Sequence, residues 1–150
     1  MLKDYLERNG IWHRFIEKPF ETGHTIESAL SVNLDPERVS KSLVVLDSKN
    51  NAYVIIIPGN KKLNFTKVKK TFNLKKVHLA LPEKARNYSG YDPGETPPLA
   101  YLNIKSVGLD KNFLKYDTIF GGGGNRKLIV ELKVEDVIRL NKAIVDDFCD

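Results

Sequence analysis

Two apolar runs, Leu43-Val-Val-Leu46 and Ala52-Tyr-Val-Ile-Ile-Ile57, stand on either side of a short polar connection, Asp47-Ser-Lys-Asn-Asn51. Consecutive β-branched residues favour extended backbone, so the pair predicts a hairpin. The runs are nearly continuous in hydrophobicity and lack the polar alternation of a half-solvated strand, which predicts burial on both faces. Such a hairpin belongs at the centre of a sheet, with other elements packed over it.

The flanking segments supply those elements. Leu2, Tyr5 and Leu6 recur at helical spacing, and Asn9-Gly10 is a stop signal. Ile11 to Ile16 reads as a strand leading into a turn at Lys18-Pro19. Thr25, as an N-cap with Glu27 in the first turn, predicts a helix to Val32-Asn33, and Asp35-Pro36-Glu37 repeats the device for a second short helix. Pro58-Gly59-Asn60 ends the second hairpin strand, and a lysine-rich helix follows over 64–71 with Phe65, Val68 and Phe72 on its apolar side. Strands are expected at 77–80, 100–104, 116–120 and 127–132, with Gly121–Gly124 as a turn. A closing helix spans 135–144 and buries Val134, Val137, Ile138 and Ile144. The expectation is one α+β (mixed α/β) domain over residues 1–150, without internal repeats.

The chain has 150 residues, a formal charge of +5 and an ordinary apolar share, enough for one compact core. The opening segment alternates charged and apolar residues rather than forming the apolar run of a signal peptide, and no later segment is long enough to cross a bilayer. A cytoplasmic protein without membrane partners is expected. The single cysteine, Cys149, is flanked by Asp146, Asp147 and Asp150, which raise a thiol pKa and oppose nucleophile formation. Neither a disulfide framework nor a Cys-based metal site is available. His13, His24 and His78 follow no metal spacing, and His78, inside a strand-like run, reads as a hydrogen-bonded structural residue. No metal and no cofactor are expected. There is no Gly-x-Ser-x-Gly elbow, and Gly121-Gly-Gly-Gly-Asn-Arg-Lys127 fits neither a P-loop nor a dinucleotide fingerprint. Those glycines read as a flexible hairpin turn, although their amides could also converge on an anion. The basic excess suits a polyanion, yet Lys- and Glu-rich surfaces are also ordinary.

Two further features carry chemistry. Lys41 sits at the junction of a helical and an apolar extended segment, where a long cation points along a cleft edge; it could snorkel to solvent or hold a phosphate or carbonyl. The stretch NYSGYDPGETPPLAY, Asn87 to Tyr101, packs two glycines and three prolines between aromatics, which makes a stiff loop.

In chain order, TIESALSVNLDPERVSKSLVVL, YVIIIPGNKKLNFTKVKK, VHLALPEKARNYSGYDPGETPPLAY and IFGGGGNRKLIVEL resemble the YbaK/ProX family of aminoacyl-tRNA editing domains, from about Ile11 to Val137. The family occurs as an insertion in prolyl-tRNA synthetases and as free-standing proteins, and this chain resembles the free-standing kind. The resemblance implies a central mixed, largely antiparallel curved sheet with short helices around it. It also implies hydrolysis of the ester joining a wrong amino acid to the terminal ribose of tRNA, typically alanine or cysteine on proline tRNA. A partner synthetase is a further implied possibility.

By the same resemblance, Lys41 matches the required lysine, and Gly94 and Pro98 match the GxxxP motif; these three are the catalytic candidates. Substrate contacts are expected from Phe20, Ser42, Gly90, Tyr91, Glu95, Thr96, Pro97 and the late glycines Gly122, Gly123 and Gly124. Tyr91 is a candidate wall or stacking group. The prolines would limit how far the loop opens for a larger amino acid, while amides of Gly94, Glu95 and Thr96 would supply donors. Lys61, Lys62, Lys69 and Lys70 are the tRNA-binding candidates. Cysteine-clearing members carry Ser and Asp around the late glycine turn, where this chain has glycines and Ile129 or Glu131. Alanine-clearing members have Asn where Ser42 stands and a histidine in the final third, which this chain lacks. Alanine, cysteine and serine are all open. The competing readings are a non-catalytic module that binds tRNA ends and a small-molecule esterase or ligand-sensing domain.

Overall fold

The computed structural model describes residues 1–150. The elements run α1 (Leu2–Arg8), β1 (His13–Glu17), α2 (Thr25–Ser31), β2 (Ser40–Asp47), β3 (Ala52–Pro58), α3 (Phe65–Phe72), β4 (Val77–Leu79), α4 (Pro82–Ser89), β5 (Ser106–Asp110), a 3₁₀ turn (Lys111–Lys115), β6 (Thr118–Gly122), β7 (Leu128–Lys133), α5 (Val134–Asn141) and β8 (Ile144–Asp146). The strands divide between two sheets, an antiparallel β1-β7-β6 and a mixed β4-β2-β3-β5-β8 in which β3 pairs parallel with β5. No helix is long and apolar enough to cross a membrane.

The hairpin expected from the two apolar runs forms with Ser40 opposite Pro58 and Leu46 opposite Ala52. Every residue of β3 is buried, because side chains alternate between two cores. Val44, Leu46, Val54 and Ile56 join the main core with α1's Leu2 and Leu6 and α5's Val137. Val45, Tyr53, Ile55 and Ile57 turn the other way, against Val68 of α3 and Phe148. A third small cluster, Ala29, Val39, Phe120 and Ile129, joins α2 to the three-stranded sheet.

Several local expectations change. Thr25 is the first helical residue of α2 rather than its cap; His24 holds the extended N-cap conformation. Asp35-Pro36-Glu37 forms a turn, not a helix: Arg38 N–H donates to Asp35 O, and Val39 is already bridged to Phe120. Too few residues remain before β2 for a helix to propagate. Residues 100–104 form no strand. Ala100 lies at φ +71°, and the N–H groups of Leu102 and Asn103 bond back to Ser89 and Tyr88 at the end of α4. Gly121 and Gly122 extend β6, so the turn occupies later residues. α5 stops at Asn141, with Lys142 in the left-handed conformation, which places Ile144 half-exposed in β8 rather than buried on a helix. His78 is exposed on β4, and its ring makes no hydrogen bond. Helix α4 was not foreseen, although Pro82 at its first position is a start signal.

Candidate functional site

The two sheets touch and then separate, and the site lies where they part. Val39 bridges Phe120 in parallel, Phe120 N–H donates to Arg38 O at 3.1 Å, and Ser40 Oγ donates to Phe120 O at 3.0 Å. Beyond this seam β2 and β6 diverge around a cavity of about 580 Å³. Its walls are the first half of β2, Gly121 and Gly122 of β6, Leu128 and Ile129 of β7, the loop and first turn of α2, and the Pro93–Thr96 segment.

Glycines let these walls approach. Gly94 holds φ +87°, and a β-carbon there would collide with the Gly23 carbonyl oxygen across the cavity mouth. A β-carbon on Gly122 would come within 2.7 Å of the Glu95 and Thr96 carbonyl oxygens. The stiff loop is fastened at several points: Gly124 N–H to Glu95 O at 3.1 Å, Tyr101 OH to Pro97 O at 2.6 Å and Asn141 Nδ2 to Pro98 O at 2.8 Å. The Glu95 N–H is spent on Asp92 O at 3.0 Å, so Gly94 and Thr96 keep the unspent amides of this turn.

Lys41 lines the cavity at the start of β2, opposite Ile57. It is half-buried, its ammonium makes no hydrogen bond or ion pair, and desolvation holds its pKa below the ordinary lysine range. A second lysine, Lys18, is buried in the wall and donates to Thr22 O at 2.8 Å and Ser28 Oγ at 3.2 Å, tying the loop to α2. Burial first, and the Arg126 charge second, lower its pKa. Burial and then Asp92 raise that of Glu95, against the pull of Arg126 and Lys18. Arg126 Nε lies 3.4 Å from Glu95 Oε1.

Of the expected site residues, the cavity brings together Lys41, Ser42, Gly94, Thr96 and Gly122. Pro98 sits behind the wall, where a β-carbon on Gly121 would come within 2.7 Å of its Cδ. Glu95 and Pro97 brace the loop as described. Gly123 and Gly124 follow the wall, Gly123 N–H donating to Leu128 O. Gly90 ends α4 at φ +95°, away from the cavity. Tyr91 is a core residue, not a wall: its hydroxyl donates to Ala100 O at 3.0 Å, and burial pushes its pKa up to about 12. Phe20 is exposed and outside the lining. Lys61 and Lys62 follow Gly59 at the cavity rim, while Lys69 and Lys70 lie in the last turn of α3. Ile129 faces the cavity, whereas Glu131 is tied to Arg14 at 2.7 Å and Thr118 at 2.7 Å.

Lys18, Gly23, His24, Ser28 and Ser40 also line the cavity and were not singled out from the sequence. Lys18-Pro19 carries only a turn signal, and nothing in its spacing marks a buried lysine.

Residues 21–140 match the family described as Aminoacyl-tRNA editing domain. The chain is 28% identical over 112 residues to a candidate Cys-tRNA(Pro)/Cys-tRNA(Cys) deacylase, EbsC, of Enterococcus faecalis, covering 75% of this chain and 68% of that protein. It is 32% identical over 101 residues to a proline–tRNA ligase of Thermosipho melanesiensis, covering 67% of this chain and 17% of the ligase. Among solved structures, hypothetical protein APE2540 superimposes with a TM-score of 0.91 at 26% identity, over 99% of both chains. A candidate trans-editing enzyme for prolyl-tRNA synthetase superimposes with a TM-score of 0.89 at 25% identity, over 99% of this chain and 94% of that one. The family match covers most of the chain and includes every wall of the cavity except the buried Lys18: the chain belongs to the aminoacyl-tRNA editing domain family and is an aminoacyl-tRNA deacylase.

Proposed function

We propose that this cavity clears a small non-cognate amino acid, alanine, cysteine or serine, from mischarged proline tRNA, and that Lys41 is its central catalytic residue. The observation that carries the reading is an unpartnered, partly desolvated lysine facing a glycine-lined cavity. A cation kept from water and from protein anions is suited to an anionic ligand, either the terminal phosphate of tRNA or the charge developing on an ester carbonyl. The names of EbsC and of the trans-editing enzyme support proline tRNA as the substrate body.

In the reaction, water adds to the ester carbonyl, the bond from that carbon to the ribose oxygen breaks, and the ribose oxygen leaves with a proton. The neighbouring ribose hydroxyl assists the proton transfer. Gly94 and Thr96 hold the acyl group with their free amides, and Pro97 and Pro98 keep that turn from yielding to larger side chains. Lys61, Lys62, Lys69 and Lys70 attract the acceptor stem.

The test is deacylation of proline tRNA charged separately with alanine, cysteine, serine and proline. One small non-cognate ester should be cleared rapidly and proline spared. Lys41→Ala should lower the clearance roughly 10²- to 10³-fold, the usual effect of removing one preorganised electrostatic group. Clearance at the buffer rate for every ester would overturn the reading. If salt-dependent tRNA binding survived, a non-catalytic tRNA-end binding module would replace it.

A further inference from the structure

The cavity floor contains a gap in a hydrogen-bond ladder. β2 pairs with β3 along one edge from Ser40 to Leu46, but β4 covers its other edge only from Val45 to Asp47. Asp47 N–H donates to Asn51 O at 3.0 Å on the β3 side, and Ala80 N–H donates to Val44 O at 2.9 Å on the opposite side. By the alternation of an antiparallel ladder, odd residues of β2 direct their main-chain groups at β3 and even residues direct theirs away from it. At one end of the uncovered edge Ser40 meets Phe120; at the other Val44 meets Ala80. Between them the N–H and C=O of Ser42 face the cavity with no strand alongside. The Ser42 hydroxyl is buried beside the Tyr101 phenol, on the core side of the strand.

The facing edge behaves alike. Gly123 N–H donates to Leu128 O at 2.9 Å, which directs the odd residues of β6 at β7 and the even ones, Phe120 and Gly122, at β2. Phe120 uses its groups on Arg38 and Ser40, whereas those of Gly122 open on the cavity. Two strand edges, each with an unspent pair of main-chain groups, therefore line the cavity where β2 and β6 part.

We infer that the aminoacyl group binds as a single added strand residue: its α-ammonium donates to Ser42 C=O, and its ester carbonyl accepts from Ser42 N–H. This rests on the editing reading and adds the part of the substrate that is recognised. Such a pairing reads what all aminoacyl esters share and leaves discrimination by side chain to the Gly94–Pro98 loop. It also gives Ser42 N–H a place in the chemistry. When water adds to the carbonyl carbon, the former carbonyl oxygen becomes an oxyanion on this donor. The charge returns to the carbonyl as the bond to the ribose oxygen breaks and that oxygen takes a proton.

The experiment uses proline tRNA carrying matched esters with and without the α-amino group: alanyl and propionyl, cysteinyl and 3-mercaptopropionyl, seryl and 3-hydroxypropionyl. Each rate is divided by that of the same ester in buffer, which removes the intrinsic activation of the ester by the ammonium. For whichever aminoacyl ester is cleared, the partner without the amino group should lose about tenfold to a hundredfold in this enhancement, as expected for one charged hydrogen bond. Equal enhancement for both members of a cleared pair would overturn the Ser42 assignment and leave the editing reading standing. Failure to clear any of the three aminoacyl esters would overturn both.

Discussion

Gly94 and Lys41 make opposite demands on stability, and both follow from the cavity. Gly94 combines a left-handed backbone with a collision at Gly23 for any β-carbon. Gly94→Ala should cost at least about 1–3 kcal/mol from the backbone conformation alone and abolish clearance by displacing the loop from the α2 segment. Thermal melting and deacylation measured on the same preparation check this. Lys41 is partly buried without a partner, so its charge opposes folding. Because its folded pKa is depressed, that opposition is fully present at neutral pH and is relieved as pH rises through the depressed value towards the ordinary one. Lys41→Met should therefore be at least as stable as the parent at neutral pH, with the difference shrinking at alkaline pH, while clearance is lost. In the parent, enhancement over buffer should decline at a pH below the ordinary lysine range as the cation is lost. For Cys149 the direction expected from the flanking acids holds, but the main cause is different. Its burial first, and then Asp110 and Asp147, push the thiol up to about 12. Iodoacetamide should label it negligibly in the native protein at pH 7.5 and fully in denaturant.

At the scale of elements, legibility followed how local the determining interactions are. α3 is recognisable because Asn64 accepts from Lys67 N–H at 3.0 Å and Asn73 ends the helix in the left-handed conformation, both within a few residues. Asn64→Ala should lower stability by about 1 kcal/mol, measured by denaturant titration, with the midpoint shifting and the slope unchanged. The hairpin of β2 and β3 was equally legible from hydrophobic runs joined by a short turn. β5 and β8 were not, since β5 is a parallel partner of β3 brought in from far along the chain and β8 adds to β5 in turn. Residues 100–104 misled because an apolar, aromatic segment can satisfy its amides at the end of α4 just as well as in a sheet.

For the whole molecule, the division of strands into two sheets is what creates a site. The cavity opens where β2 leaves β6, and on the proposed reading the lysines that follow Gly59 and those in the last turn of α3 are the ones that attract the tRNA. Replacing Lys61, Lys62, Lys69 and Lys70 together by Gln should flatten the logarithmic salt dependence of tRNA binding by up to roughly 3.6, at about 0.9 for each duplex phosphate no longer neutralised. The chemistry at saturating tRNA should change far less. The amino-acid sequence by itself determined the α+β class, the buried hairpin and the stiff glycine–proline loop, because these depend on local propensity and short spacing, while Lys41 and Gly94 stood out as catalytic candidates only through the resemblance to the editing family. Only the tertiary structure decided that Tyr91 serves the core, that Lys18 is buried in a wall, and that Ser42 and Gly122 offer unspent main-chain groups across a gap. Those outcomes depend on which distant strands meet and where they stop pairing, and a hydrogen bond left unmade has no local signature in a chain.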